Sequence, residues 1–479
     1  MALAREIIFA SAFGTGVIAT GFRVAQTASI APATLISGDL LSAAFAPSYA
    51  RAAKSDPEEA SALLWAYSTW LTVVLCPLAA GVFAVRSLLV GTIIPGAPLE
   101  TVVQATEFLG LLCWAIPLFG LSGIFAYALG VHGIYAATSI RPLIQSVGLI
   151  IGTTLAIWTG WIQWLALGFI AAWLLYSIIC GWLAVRQGLF RQTTVFSLWQ
   201  GWRFILIGCR QVAPLLVLPI AIQYSIVLER SFASLGPDGL IAAVDYARAI
   251  SDSVMSLIAV PLGILGLTQL SALNQLEYQS AVRRMNNFVI ALMLPVSSIL
   301  CISASSLVQI LFVRGAFGEE AAHLTSTVLI GISAGIAFQV AGYALSRALT
   351  AIGRNRAVMG WTIGALAGQV AVQSFGMVFI GPLAIGLGPS IFGVILTVGC
   401  AVTLQLTRPI GIQLRCALPS MIATIFLLSS TLTTVAQVAL ALITWFLNCL
   451  IAGPLRRPLS EQILLILRFL ANRIRKVKN

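Results

Sequence analysis

The sequence predicts an all-α polytopic membrane protein of about fourteen transmembrane helices, arranged as two homologous six-helix lobes plus a C-terminal helix pair. Three observations predict it. Hydrophobic residues fill 59% of the 479 positions and charged residues only 9%. Apolar runs repeatedly reach the ~20 residues a helix needs to cross a bilayer, and the ~10-residue alternating strands of a β-barrel are missing. The 27 Lys and Arg residues also sort by side. Arg86 and Arg314 fall in loops on one side, and Arg5, Arg23, Arg230 and Arg248 fall within helices. All the others fall in loops and a tail assigned to the opposite side, which the positive-inside rule makes cytoplasmic. The net charge of +12 therefore reports topology, and nucleic acid is not an expected partner.

A first helix carrying Arg5 and Glu6 ends at Phe13-Gly14-Thr15-Gly16. It is short for a span, and it has no cleavable signal-peptide pattern. The second, about 18–47, carries Arg23 and Asp39. About 24 Å of helix separates these two, which places them near opposite membrane faces. Spans follow at about 62–90, 105–130, 139–160 and 163–185, with Trp158, Trp161 and Trp164 as interfacial anchors. After a basic amphipathic linker from Arg186 to Arg203 the pattern restarts. Helices seven and eight occupy Ile226 to Leu273 around the turn Leu235-Gly236-Pro237-Asp238-Gly239. Further spans lie at about 285–313, 322–350, 357–380, 384–406, 416–436 and 437–453. The tail from Leu459 to Lys478 alternates Ile/Leu clusters with basic residues, as an interfacial helix on the cytoplasmic leaflet does. Both termini are expected in the cytoplasm.

The restart is an internal repeat. Ser87-Leu88 and Gly96-Ala97 recur 219 residues later at Ser306-Leu307 and Gly315-Ala316, and Ala128-Leu129 with Gly133 recurs 220 residues later at Ala348-Leu349 with Gly353. The expected units are residues 1–192, 193–413, an added helix pair at 414–455 and a basic amphipathic tail at 456–479. An even number of helices per lobe gives both lobes one orientation, with the substrate site between them.

The buried charges point to that site. A charge near the bilayer centre costs at least ~2.5–3.5 kcal/mol on insertion scales, so it faces a bundle interior or a wet cavity. All such charges fall in helices one, two, seven and eight. Asp245, Arg248 and Asp252, at i, i+3 and i+7, share one helix face. The bland alternatives are local pairs: Arg248 with Asp245 or Asp252, Arg5 with Glu6, Arg230 with Glu229, and Arg23 snorkelling to the outer interface. Guanidinium groups bind phosphate bidentately without losing their charge. Arg5, Arg23, Arg230 and Arg248 are thus the candidate substrate-binding residues, for an anionic, phosphorylated substrate. Glu6, Asp39, Glu229, Asp245 and Asp252 are the candidate gating or coupling carboxylates.

The eight cysteines are scattered singly, and His132 and His323 are far apart, so neither a metal site nor catalysis is expected. The glycines at 331 and 335, and at 360, 364 and 368, fit close helix packing.

The ordered set Arg5-Glu6 with Phe13-Gly14-Thr15-Gly16, Ser42-Ala43-Ala44-Phe45-Ala46-Pro47, Phe232-Ala233-Ser234, Tyr246-Ala247-Arg248, Pro261-Leu262-Gly263 and Leu311-Phe312-Val313-Arg314-Gly315-Ala316-Phe317 resembles the MviN/MurJ-type flippases of the multidrug/oligosaccharidyl-lipid/polysaccharide exporter superfamily. The resemblance implies two lobes forming a V, a cationic central cavity and a helix pair that makes a lipid groove. It also implies export of a polyprenyl-pyrophosphate-linked glycan across the bacterial inner membrane by alternating access. On it, Arg5 and Arg248 match the family's cavity arginines of helices one and eight. Thr20-Gly21-Phe22 stands where the family carries an Asp, Ala33-Thr34 where it carries an Arg pair, and Gly38-Asp39 where it carries Glu-Gly. The cargo therefore stays open between lipid II and an exopolysaccharide repeat unit. Membrane lipids and the cell-envelope glycan synthesis machinery are the other expected partners. No cofactor is expected, and coupling to protons, sodium or the membrane potential stays open. A cation-coupled multidrug antiporter of the same superfamily and a non-transporting membrane scaffold are the alternatives.

Overall fold

The computed structural model describes residues 2–34, 45–190, 220, 222–270, 275–406, 422–424, 427 and 434–451. Asp39, most of the basic linker, most of the first helix of the C-terminal pair and the tail lie outside these. Every regular element among the described residues is helical: α1 (Ala2–Phe13), α2 (Val17–Thr34), α3 (Ala46–Ser55), α4 (Pro57–Ala84), α5 (Arg86–Ile93), α6 (Leu99–Leu112), α7 (Ala115–Val131), α8 (Ala136–Thr159), α9 (Trp164–Arg186), α10 (222–233), α11 (Leu240–Leu270), α12 (Gln275–Phe312), α13 (Glu319–Ala334), α14 (Ile336–Ala351), α15 (Asn355–Ile380), α16 (Pro382–Thr403) and α17 (Thr434–Ile451). The chain is a multi-pass membrane protein. Among the described residues six of these helices are long and apolar enough to cross a bilayer, and two bent pairs raise that to eight.

Local sequence explains where the helices start and bend. Asp56 caps α4 by accepting the Glu58 amide at 2.8 Å, with Pro57 opening the helix and Glu58 and Glu59 at its positive end. The span expected at 105–130 is instead the pair α6 and α7, bent by 46° at Cys113-Trp114. Pro117 lies four residues beyond Cys113, where its ring would collide with the Cys113 carbonyl of a continuous helix. The span expected at 322–350 is likewise the pair α13 and α14, bent by 46° at Gly335. There the Ser390 hydroxyl donates into the helix, at 2.6 Å to the Gly331 carbonyl and 3.1 Å to that of Ile332. The two bends use different chemistry at the same place in the repeat.

The helices pack in two sets. In the N-terminal set α8 and α7 lie against α9, α6 against α2 and α4 against α7; in the C-terminal set α16 packs on α13, α14 and α15. Contact between the sets runs through α1 and α2 against α11, and α1 against α12.

That contact is tightest at the end carrying the turns 14–16, 94–98, 234–239 and 313–318, which the charge asymmetry assigns to the outside. The Ala316 amide donates to the Ser11 carbonyl at 2.9 Å, and the Tyr246 hydroxyl donates to the Gly14 carbonyl at 2.7 Å. Ser231 donates to the Ile93 carbonyl at 2.8 Å, and Ser234 Oγ accepts from the Gly96 amide at 3.3 Å. A Cβ on Gly96 would strike the Ser234 carbonyl, and one on Gly315, whose φ is +60°, would strike the Ser11 carbonyl. Gly96 and Gly315 are the repeat-related glycines, so one contact is used twice across the seam.

The glycine stripes differ from expectation in part. Gly331 lies backbone to backbone on Gly386, and Gly335 on Ser390, as close packing requires. Gly360 and Gly364 meet nothing within 4 Å among the described residues. The buried face of α15 follows Thr362, Ala365, Gln369 and Gln373, and the glycines at 360 and 364 fall beside it. Gly331→Leu should therefore lower the detergent-solubilised melting temperature, at a cost of about 1–3 kcal/mol from overpacking. Gly364→Leu should leave it unchanged; equal losses would contradict this packing.

A buried ion-pair network as the candidate functional site

Beneath the seam, charged residues from α1, α2, α10 and α11 meet. Arg5 Nε donates to Glu6 Oε1 at 3.0 Å, and Arg23 donates to the other Glu6 oxygen. Arg23 also lies 3.9 Å from Asp245 Oδ2 and 3.5 Å from Gln26 Oε1, and its guanidinium sits 4.8 Å from the Phe9 ring and 5.8 Å from that of Tyr246. Arg230 grips Asp245 with both terminal nitrogens, at 3.1 and 2.9 Å. Arg248 grips Glu229 in the same two-point manner, with Nε at 3.0 Å. Asp252, one turn further along α11, is exposed and pairs with no described residue within 4 Å.

Seven of the nine candidate residues are thus joined in ion pairs; Asp252 stands apart from the pairs, and Asp39 lies outside the described residues. The pairing is not the local one expected. Arg248 takes Glu229 from α10 rather than Asp245 or Asp252 from its own helix, and Arg230 takes Asp245 rather than its neighbour Glu229. Facing helices allow the fork-to-carboxylate geometry that makes guanidinium pairs strong. Arg23 does not snorkel outward; it is buried between Glu6 and Asp245. The α1 pair Arg5–Glu6 does form as expected. Four guanidinium groups pair with three carboxylates, Glu6, Glu229 and Asp245, and Asp252 stands unpaired among the described residues.

Depth orders the exposure. At 1.5 Å per residue, Arg230 and Arg23 lie about 6–9 Å below the outer turns, Arg5 and Arg248 about 12 Å, and Asp252 about 18 Å. Their side chains are 12% and 6% exposed for Arg230 and Arg23, against 22% and 32% for Arg5 and Arg248. Exposure therefore increases away from the seam. The seam itself holds a cavity of about 440 Å³, lined by its turns and by Thr101, Glu100, Asp238 and Glu320. Its charged lining is acidic.

Sequence reasoning missed three members of this shell: Phe9, Gln26 and Tyr246. Phe9 and Gln26 sit three residues from Glu6 and Arg23, the spacing that stacks side chains on one face, and this was the available signal. The hydroxyl of Tyr246 is committed to Gly14 by the turn geometry, which no spacing reveals.

A family model described as lipid II flippase MurJ matches residues 9–453. The chain belongs to the lipid II flippase MurJ family. Among MurJ relatives, a probable lipid II flippase from Synechocystis sp. (strain ATCC 27184 / PCC 6803 / Kazusa) is 26% identical over 380 residues, covering 73% of this chain and 68% of that protein. One from Rhizobium tropici is 26% identical over 360 residues, covering 68% and 63%. The chain thus spans about two thirds of the length of these relatives. A solved lipid II flippase MurJ in an inward closed conformation superposes with a TM-score of 0.81 at 18% identity, covering 95% of this chain and 97% of that one. An inward-facing MATE family multidrug transporter of the MOP superfamily superposes at 0.66 and 14% identity, covering 85% and 93%. These likenesses show the fold.

Removing one partner of a buried pair strands the other charge, at a cost of about 3 kcal/mol. Arg230→Met should therefore lower the melting temperature of the purified protein well below that of Arg248→Met, whose side chain is more exposed. Adding Asp245→Leu should restore much of the loss; no recovery in the double variant would show that Arg230 does not serve to neutralise Asp245.

Proposed function

We propose that the chain moves a polyprenyl-pyrophosphate-linked glycan, lipid II in the first instance, from the inner to the outer face of the bacterial inner membrane by alternating access. Both termini then lie in the cytoplasm, and residues 1–192 and 193–413 act as the two moving lobes. The observation that carries this reading is the exposure gradient in the charged cluster. Under a sealed outer end, Arg5 and Arg248 are the guanidinium groups open toward the inner side, and each already holds a carboxylate in the geometry a phosphate oxygen would take. A pyrophosphate can replace Glu229 on Arg248 and Glu6 on Arg5 without leaving either arginine unpaired at any stage. Arg23 and Arg230, more deeply placed, keep the apex neutral and extend the path.

In this reading Glu6 and Glu229 are exchangeable counter-ions, Asp245 couples the two helix sets, and Asp252 marks the inner approach. Asp39 keeps its assignment as an inner-end gating carboxylate from its place in the sequence. A cation-coupled antiporter needs carboxylates free to take cations; guanidinium groups engage Glu6, Glu229 and Asp245, which leaves Asp252 as the one unpaired candidate carboxylate among the described residues.

In cells depleted of their own lipid II flippase, the wild-type chain should restore growth. Arg248→Ala, at matched membrane levels, should not. Normal rescue by Arg248→Ala would remove that arginine from the path. Failure of both chains, with good insertion, would exclude lipid II and move the test to exopolysaccharide export.

A further inference from the structure

Arg141 stands apart from every arginine described above. The charge asymmetry places it with the cytoplasmic loops; it is the sixth residue of α8 and is half-buried against rings of α7 and α9. Its guanidinium sits 4.9 Å from the centroid of the Phe119 ring and 5.0 Å from that of Trp173, two buried rings that pack on each other at 4.6 Å. Among the described residues no carboxylate pairs with it, and none accepts a hydrogen bond from it. Trp173 Nε1, in the same wall, is buried and has no hydrogen-bond partner among the described residues.

The side chain does not snorkel to the near interface. Arg141 begins about 8 Å from the inner end of α8, whereas Phe119 and Trp173 lie about 18–20 Å from the inner ends of α7 and α9. The side chain thus runs along α8 toward these rings and stays half-buried at the crevice. A cation–π contact supplies about 0.5–2 kcal/mol and leaves the charge without an anionic partner among the described residues. Stacking does fix the plane of the guanidinium, and it leaves the N–H edge free for a two-point contact with an oxyanion. That edge borders a cavity of about 140 Å³, walled by Ser122, Tyr127, Thr138 and Tyr176. The mouth lies by Thr138, which is exposed near the start of α8.

We propose that this crevice between α7, α8 and α9 binds a phosphate group, with Arg141 as the charged contact and the hydroxyl of Thr138 near the mouth. The site lies apart from the charged cluster on α1, α2, α10 and α11, and it does not depend on the transport reading. Its volume suits a phosphate and not a glycan. Its depth, just inside the inner end, suits the phosphodiester of an inner-leaflet phospholipid whose chains stay in the bilayer.

The test uses the purified full-length chain, delipidated in detergent, with phosphatidylglycerol and inorganic phosphate as separate probes. Binding is read by native mass spectrometry and by melting temperature. Phosphatidylglycerol should form a one-to-one adduct with the wild type and raise its melting temperature. Arg141→Gln and Arg141→Lys should weaken the adduct tenfold or more, the lysine variant because a point charge cannot replace the fork. Without lipid, Arg141→Met should melt at or above the wild type, since it removes an uncompensated charge; with lipid the order should reverse. An equal response to inorganic phosphate alone would keep the oxyanion site and make its source soluble. Binding by Arg141→Met as tight as wild type, or no adduct with either probe, would overturn the proposal.

Discussion

Arg23 is the residue on which the outer half of the molecule depends. It is buried, it belongs to the N-terminal helix set, and its charge is shared between Glu6 of that set and Asp245 of the other. A permanently ionised group at this depth cannot escape by losing its proton, so carboxylates must come to it. Asp245 in turn needs Arg230, Glu6 needs Arg5, and each requirement fixes the position of another helix. The Phe9 and Tyr246 rings complete the shell, and Tyr246 ties it through Gly14 to the seam above. The closed outer end and the charged cluster are therefore one structure.

Symmetry in the sequence is translated into that seam with little waste. Gly96 and Gly315 occupy equivalent places in the repeat, and each lets backbone from the opposite set approach within hydrogen-bonding range. Side chains there would hold the sets apart. The acidic outer mouth would repel a departing pyrophosphate rather than retain it.

Much of this was legible from residues alone. Membrane character, the restart near 220 residues and the gathering of charges into helices one, two, seven and eight all follow from hydropathy and spacing. The family resemblance read from motifs such as Tyr246-Ala247-Arg248 agrees with the family match. What spacing could not reveal was partnership. Helical periodicity reports which residues share a face, as Asp245 and Arg248 do, but not what lies opposite that face; hence Glu229 rather than Asp245 as the partner of Arg248. The same limit hid the bend at Gly335, which is made by Ser390 from a distant helix, while the bend at Cys113 was written locally in Pro117. Arg141 shows the same limit: its place near a span boundary gives no sign of the Phe119 and Trp173 rings it stacks on.

The central claim is that Glu229 is a counter-ion which the substrate displaces from Arg248. It is tested most directly by the affinity of the purified chain for undecaprenyl pyrophosphate, compared with Glu229→Gln and Arg248→Ala. Displacement predicts that Glu229→Gln binds at least as tightly as the wild type, because a competitor has been removed, while Arg248→Ala loses tenfold or more. Equal losses in the two variants would show that the pair acts only as a fixed brace.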